Sequence, residues 1–380
     1  MIKGTTKLIK QMNKSNILSI IYNENSTSRA ELAKKTKISK STVSLIVDEL
    51  IQEGLVEETE VGNSTIRGGR KPIQLEFNPV AGYIVGLEIG RKSSLCILSD
   101  LGGNVHKEEK IKLSENSEEK IMDEIIEALH GFIDRSGQGC NIIGMGIGIP
   151  GITDIENGMV CHAPELHWEK LEIGKIFEDE FKMKIFIDND VNMAVLGEKW
   201  FGAGSKYSDF VFISIGIGIG SGIVINKKIH RGSSFTAGEV GYLVLGREAL
   251  KHDKYTYGQF GYFESVASNL ALESTTNMGC DEAFVRAGGG DENCKAAVER
   301  ILDYLGLGIA NIISILNPEA LIIGGSMSGK NKEFIEPIKE RVSKLTPVTS
   351  IIKPSDLGEK SAIMGCIATV LTNTYGIELY

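Results

Sequence analysis

The apolar positions of the first eighty residues follow helical spacing and then the spacing of short strands. Ile17, Ile20 and Ile21 predict a helix over residues 16–22, closed by the polar run 23–27. Ser28-Arg29-Ala30-Glu31 has the form of a capping box. In that motif a Ser hydroxyl accepts an early helix amide and a Glu three residues on reaches back. The helix it opens carries Leu32 and Ala33 and stops near Lys37. Ser39 caps a third helix over 40–53, stopped by Gly54, with Val43, Ile46, Val47 and Leu50 in one stripe. Residues 55–57 and 73–77 then read as two short strands around a loop.

From Ala81 the period is that of a β-meander. Strands are expected over 83–89 and 94–99, with a turn at 100–104 and a third strand reaching Lys112. A helix over 118–133, a buried strand over 142–149 and a strand over 185–187 that leads into a further helix complete the first half. A second half opens at Phe210 with a strand over 211–215, a glycine-rich turn over 216–222 and a return strand over 223–225. A long apolar helix over 296–316 then feeds a strand over 320–323. Two similar halves, each opening with a glycine-bearing hairpin, predict an α/β body of two lobes around a cleft. The expected divisions are a winged helix-turn-helix head (1–78), a first lobe (79–195, rejoined by a C-terminal helix at about 361–380) and a second lobe (196–360).

Composition adds a compartment and an asymmetry. Hydrophobic residues at 42% and charged residues at 24% are ordinary for a soluble protein. The net charge of −9 argues against a general nucleic-acid coat, yet residues 1–75 carry +4 and the remainder −13. Six scattered cysteines fit reduced thiols and show no zinc-site spacing. The polar first fourteen residues lack a signal-peptide core, and no apolar run approaches membrane-spanning length, so a cytoplasmic protein that avoids membranes is expected.

In a helix-turn-helix the first turns of the third helix enter the major groove, so Ser39, Lys40, Ser41, Thr42 and Ser44 are the candidate DNA contacts there. Gly68-Gly69-Arg70-Lys71-Pro72 reads as a wing tip, with Arg70 suited to the minor groove and Lys71 beside it. Three short capped helices would also make a small dimerisation bundle. The basic wing favours DNA, and a homodimer on a pseudo-palindromic operator follows, its half-sites a whole number of helical turns apart.

Five segments occur in a characteristic order: GIGIPG at 146–151, DNDVN at 188–192, GIGIGSGIV at 216–224, AGEVGY at 237–242 and LGLGIANIISILNPEALIIGG at 305–325. Together they resemble the ROK family (repressors, uncharacterised open reading frames and sugar kinases), which has the actin-like ATPase, ribonuclease H-like fold. With the winged head, the chain is similar to that family's repressors. The resemblance puts Asn189 at a sugar-contacting position, Asp190 at the family's catalytic base, and Glu239 and Glu264 at two further sugar-binding carboxylates. Tyr242 stands where the family has a His that binds sugar and zinc, and Glu165 where it has an Asn. Other readings stay open: Asp190 as a cap of the helix after it, Glu239 as a solvated turn residue, and Trp168 as either a platform for a sugar face or a core residue.

The phosphate side departs further from the family. Its DxGGT hairpin is here Glu88-Ile89-Gly90-Arg91-Lys92, and Ile217 takes the place of a Thr that faces phosphate. Bulky side chains obstruct amides that must approach phosphate, and isoleucine has no hydrogen to donate. The family's zinc loop is here Tyr255-Thr256-Tyr257-Gly258-Gln259-Phe260-Gly261-Tyr262, with tyrosines in place of its cysteines, so no metal and no cofactor are expected, and the rings are expected to pack together instead. The resemblance therefore implies a non-catalytic, sugar-responsive repressor of carbohydrate-utilisation genes, with xylose or a related aldose as effector and operator DNA as partner. The rival is an ATP-dependent sugar kinase with an appended DNA-binding head.

Overall fold

The computed structural model describes residues 6–24, 26–59, 73–114, 118–251, 261–326 and 334–378. The head comprises α1 (Thr6–Asn23), α2 (Arg29–Thr36), α3 (Lys40–Gln52), β1 (Val56–Thr59) and β2 (Gln74–Phe77). The capping box is present: the Ser28 amide donates to the Glu31 carboxylate at 2.9 Å, and the Ser28 hydroxyl accepts from the Glu31 amide at 3.3 Å. Lys37 turns left-handed (φ 59°) between α2 and α3. β1 and β2 pair antiparallel, and Thr27 bridges to Leu75.

α1 begins ten residues before the expected start. Its early turns carry Leu8, Ile9 and Met12 on the exposed surface, so burial periodicity does not mark them. Lys, Gln, Leu and Met are good helix formers, which suffices to extend an anchored helix. Ion pairs Lys10–Glu49 and Lys14–Glu53, both 2.5 Å, tie it to α3.

The first half of the body contains β3 (Tyr83–Glu88), β4 (Ser93–Asp100), β5 (Val105–Lys112), α4 (Glu118–Ser136), β6 (Ile142–Ile149), β7 (Ile152–Asp154), β8 (Met159–Ala163), β9 (Trp168–Leu171), α5 (Ile173–Phe181), β10 (Ile185–Asn189) and α6 (Asp190–Phe201). The second contains β11 (Phe210–Ile215), β12 (Ile219–Ile225), β13 (Lys228–His230), α7 (Tyr262–Ala267), α8 (Asn269–Thr276), α9 (Cys280–Gly288), α10 (Glu292–Leu316), β14 (Ala320–Gly324), α11 (Glu336–Leu345), β15 (Ile351–Pro354) and α12 (Ser361–Tyr375).

The two five-stranded sheets have one topology. Their orders are β10-β6-β3-β4-β5 and β13-β12-β11-β14-β15, each with the first strand central, an antiparallel meander on one side and two parallel strands on the other. The helix that follows each sheet's last strand packs across to the opposite sheet: α6 reaches β11 and β12, and α12 lies on β3 and β6. These helices cross closely, since a Cβ on Gly365 would lie 1.7 Å from the Met193 carbonyl oxygen.

One expectation needs correction, and one open alternative is decided. The glycine-rich stretch 216–222 is only partly a loop. Gly216–Gly218 form the turn, and β12 begins at Ile219. Within β12, a Cβ on Gly222 would stand 2.3 Å from Val195 Cγ2 and one on Gly220 2.8 Å from Val191 Cγ2. Those glycines let α6 press on the strand. Trp168 is a core residue, packed in one apolar cluster with Leu166 and Phe177.

Head and body share an apolar cluster. Ile17, Leu18 and Ile21 of α1 belong to the cluster that holds Trp200, Ile363, Ile367 and Leu371. Hydrogen bonds close the seam: Ser15 Oγ donates to the Tyr375 carbonyl and Asn23 Nδ2 to the Glu378 carbonyl, both at 2.9 Å, and the Glu378 amide donates to Ser19 Oγ at 3.0 Å. Among the described residues no helix is long and apolar enough to cross a membrane.

Candidate nucleic-acid interface and effector cleft

The face of α3 away from its core stripe is divided between capping and free chemistry. Ser39 accepts from the Thr42 amide at 3.2 Å, and its hydroxyl lies 3.0 Å from Ser41 Oγ and 2.8 Å from Thr42 Oγ1. Ser39 is thus an N-cap. Lys40 and Ser41 are exposed, and Thr42 and Ser44 half-buried. Asp48, on the same helix, is paired with Arg29 at 2.7 Å, and Arg29 also bonds Glu58. Arg70 and Lys71 lie outside the described residues, as does the rest of the expected wing tip.

In the body, the β10–α6 junction brings Asn189 and Asp190 to the point where the two halves meet. The carboxamide of Asn189 is occupied by the protein. Its oxygen accepts from the Val191 and Asn192 amides at 3.0 and 3.1 Å, and its nitrogen donates to the Gly151 carbonyl at 2.8 Å and to Asp190 Oδ1 at 3.0 Å. The cap of α6 is therefore Asn189. Asp190 is the first helical residue, and its carboxyl is pushed up to about 7 by burial, with Glu165 and Glu239 adding and the Val191 amide opposing.

Glu264 sits in the first turn of α7 and gathers two segments. One oxygen accepts from the Gly261 amide at 2.7 Å and the other from the Ile219 amide at 3.1 Å. Burial raises its proton affinity and Glu165 adds to this, against those two amides. Glu239, an exposed residue before the short helix Val240–Tyr242, is raised by burial of its carboxyl and by Glu264. Glu165 is exposed on the short helix Pro164–Leu166 between β8 and β9, and Tyr242 is half-buried. The small sheet β7-β8-β9 that carries Glu165 was not expected from the sequence; its strands are three to five residues long.

One further carboxyl joins this group. Glu88, at the end of β3, is pushed up to about 7 by burial, then by Asp190 and Glu359. The sequence marked it only as a departure from a phosphate hairpin. Asp190, Glu239, Glu264 and Glu88 each feel another carboxyl, so the junction suits neutral hydroxyls, from which a carboxylate accepts and to which a carboxylic acid donates. Phosphate would meet repulsion there. At the turns after β3 and β11, Ile217 is 62% exposed, and Arg91 and Lys92 are exposed.

A bond between the halves holds this arrangement. Arg231, just after β13, makes a bidentate ion pair with Asp188 at the end of β10, at 2.8 and 2.6 Å. Asp188 is 2% exposed and also accepts from the Asn189 amide at 2.8 Å and from Asn192 Nδ2 at 3.2 Å. Arg231 was missed, because 43 residues separate the partners and no local pattern joins them.

Winged head, doubled sheet and carboxyl-lined junction define a winged-helix protein with an actin-like body of the sugar-kinase fold. The ROK family model matches residues 84–373 and the MarR family model residues 10–60; the chain belongs to the ROK family. The xylose repressor of Caldicellulosiruptor bescii is 33% identical over 404 aligned positions, covering 99% of this chain and 100% of that protein. A solved ROK family transcriptional regulator, a homologue of the Escherichia coli MLC protein, superposes with a TM-score of 0.84 at 24% identity over 97% of both chains. The ROK family glucokinase of Streptomyces griseus, solved with glucose and AMPPNP, has a TM-score of 0.65 at 24% identity, over 77% of this chain and 100% of its own.

Proposed function

We propose that this chain is a sugar-responsive DNA-binding repressor of carbohydrate-utilisation genes, acting as a cytoplasmic homodimer, with xylose or a related aldose as effector. The observation that carries this reading is the continuous packing from cleft to head. Asp190 opens α6, α6 packs on α12, and the end of α12 is bonded to α1 of the head. A ligand that binds two closures of the cleft unequally would shift the position of the heads through this path.

Site roles follow from the same reading. Asp190, Glu239, Glu264 and Glu165 receive sugar hydroxyls, Tyr242 contributes its phenol, and Asn189 chiefly sets the geometry of Asp190. Lys40, Ser41 and Ser44, with Arg70 and Lys71, face DNA, while Ser39 and Thr42 hold the helix start. Support for xylose comes from the name of the full-length relative. The test is operator binding by the full chain with and without D-xylose, D-glucose and L-arabinose. Affinity that falls with one of these sugars supports the reading, and affinity unmoved by all of them defeats it.

A sugar kinase is the second reading, and the raised Asp190 favours it, since a carboxyl near 7 suits a general base. The exposed Ile217 speaks against it. Release of ADP from ATP with an aldose, lost in Asp190→Asn, would establish the kinase.

A further inference from the structure

The core stripe of α3 leaves the opposite side of the helix free. At 100° per residue, Ser41, Asp48 and Leu45 fall within about 60° of one another on that side, with Ser44 at its margin. Leu45 is the apolar member of this otherwise polar face, about 40° round the helix from Ser41, and is 65% exposed. Isolated apolar residues on a surface are ordinary. This one lies on the element that the helix-turn-helix offers to the major groove, one turn beyond the exposed Ser41.

Its neighbours sharpen the point. Asp48 would repel phosphate, but Arg29 balances its charge at 2.7 Å. Ser39 and Thr42 hydroxyls are engaged with each other and with the helix start. The side chains left to read bases on the second turn of α3 are therefore a hydroxyl and an isobutyl group. The thymine C5-methyl is the apolar group that base pairs present in the major groove. The +4 charge of residues 1–75 on a chain of net −9 favours DNA over an apolar protein partner on this face.

We propose that Leu45 is a specificity-determining residue that packs against a thymine methyl in each half-site. This rests on the DNA-binding reading of the head. Burying one methyl contributes about 0.8 kcal/mol, or about four-fold in affinity.

The test uses the full chain and a binding site selected by it from random duplexes. Each thymine of one half-site is replaced in turn by deoxyuridine, which removes only the methyl, and Kd is measured for the wild type and Leu45→Ala. The expected result is one thymine, or two adjacent ones, whose replacement weakens the wild type about four-fold and leaves Leu45→Ala unchanged. Equal losses in both proteins at every thymine, or no thymine with an effect, would overturn the assignment. So would a Leu45→Ala variant that dissociates into monomers while keeping its base preference, because Leu45 would then serve a second copy of the chain. Failure to enrich any sequence would overturn the DNA-binding reading itself, an outcome distinct from the others.

Discussion

Asp190 gives a prediction whose sign and size come from the structure. Its carboxyl titrates at about 7 instead of 3.8, with burial the leading cause. A shift of that size corresponds to about 4 kcal/mol at full ionisation. The residue is only partly covered, so water screens part of the penalty and about 2 kcal/mol is expected. Because the folded protein holds this proton more tightly than the unfolded chain, the stabilisation is complete below pH 4 and disappears as pH rises through 7. Asp190→Asn keeps the shape and the acceptor for the Val191 amide, but does not titrate. Urea unfolding of wild type and variant at pH 3.5 and pH 8 should therefore show near-equal stability at pH 3.5 and a variant about 2 kcal/mol more stable at pH 8. A difference independent of pH, or a wild type that gains on the variant as pH rises, would refute the argument.

Two further substitutions test what holds the halves together. Arg231→Met leaves the buried Asp188 carboxylate without its cation and should cost about 3–5 kcal/mol by urea midpoint, with Arg231→Lys recovering part; a loss below about 1 kcal/mol would remove the pair from the account. Glu198 is fully buried and accepts from the Ala203 amide at 2.7 Å, the Leu357 amide at 3.1 Å and the Ser361 hydroxyl at 2.8 Å, joining α6 to the segment before α12. Glu198→Ala leaves those donors unsatisfied and should cost about 3 kcal/mol or more, while Glu198→Gln, which keeps one acceptor oxygen, should lose less.

Local signals carried much of the fold. The capping box at Ser28, the cap at Ser39 and the stripe Val43, Ile46, Val47 and Leu50 depend on near neighbours, and α2 and α3 were legible for that reason. Strands β3, β4 and β11 were legible because each is six to eight residues of apolar-rich chain. The first turns of α1 were hidden, since Leu8, Ile9 and Met12 face outward. Glycines 220 and 222 were read as loop because a glycine needed for close approach by α6 looks the same in sequence as one needed for a turn.

The carboxyl group at the junction of the halves was legible in a different way. Nothing in spacing links Asp190 with Glu239 and Glu264; family resemblance nominated them, and folding brings their charges within reach of one another. Resemblance also assigned Asn189 to the sugar, whereas its carboxamide is engaged in capping α6 and holding Gly151. Glu88 and Arg231 escaped because their significance depends on partners from distant strands.

The central claim is that sugar in the carboxyl-lined cleft changes what the head does on DNA. Its most direct test is the affinity of the full chain for its selected site, followed by fluorescence anisotropy during titration with D-xylose and related aldoses, beside Asp190→Asn. The account predicts that one aldose weakens wild-type binding at least ten-fold, and that Asp190→Asn binds the same DNA normally but needs far more sugar for release. DNA affinity that stays constant across every aldose, in a protein that binds its site tightly, would contradict it.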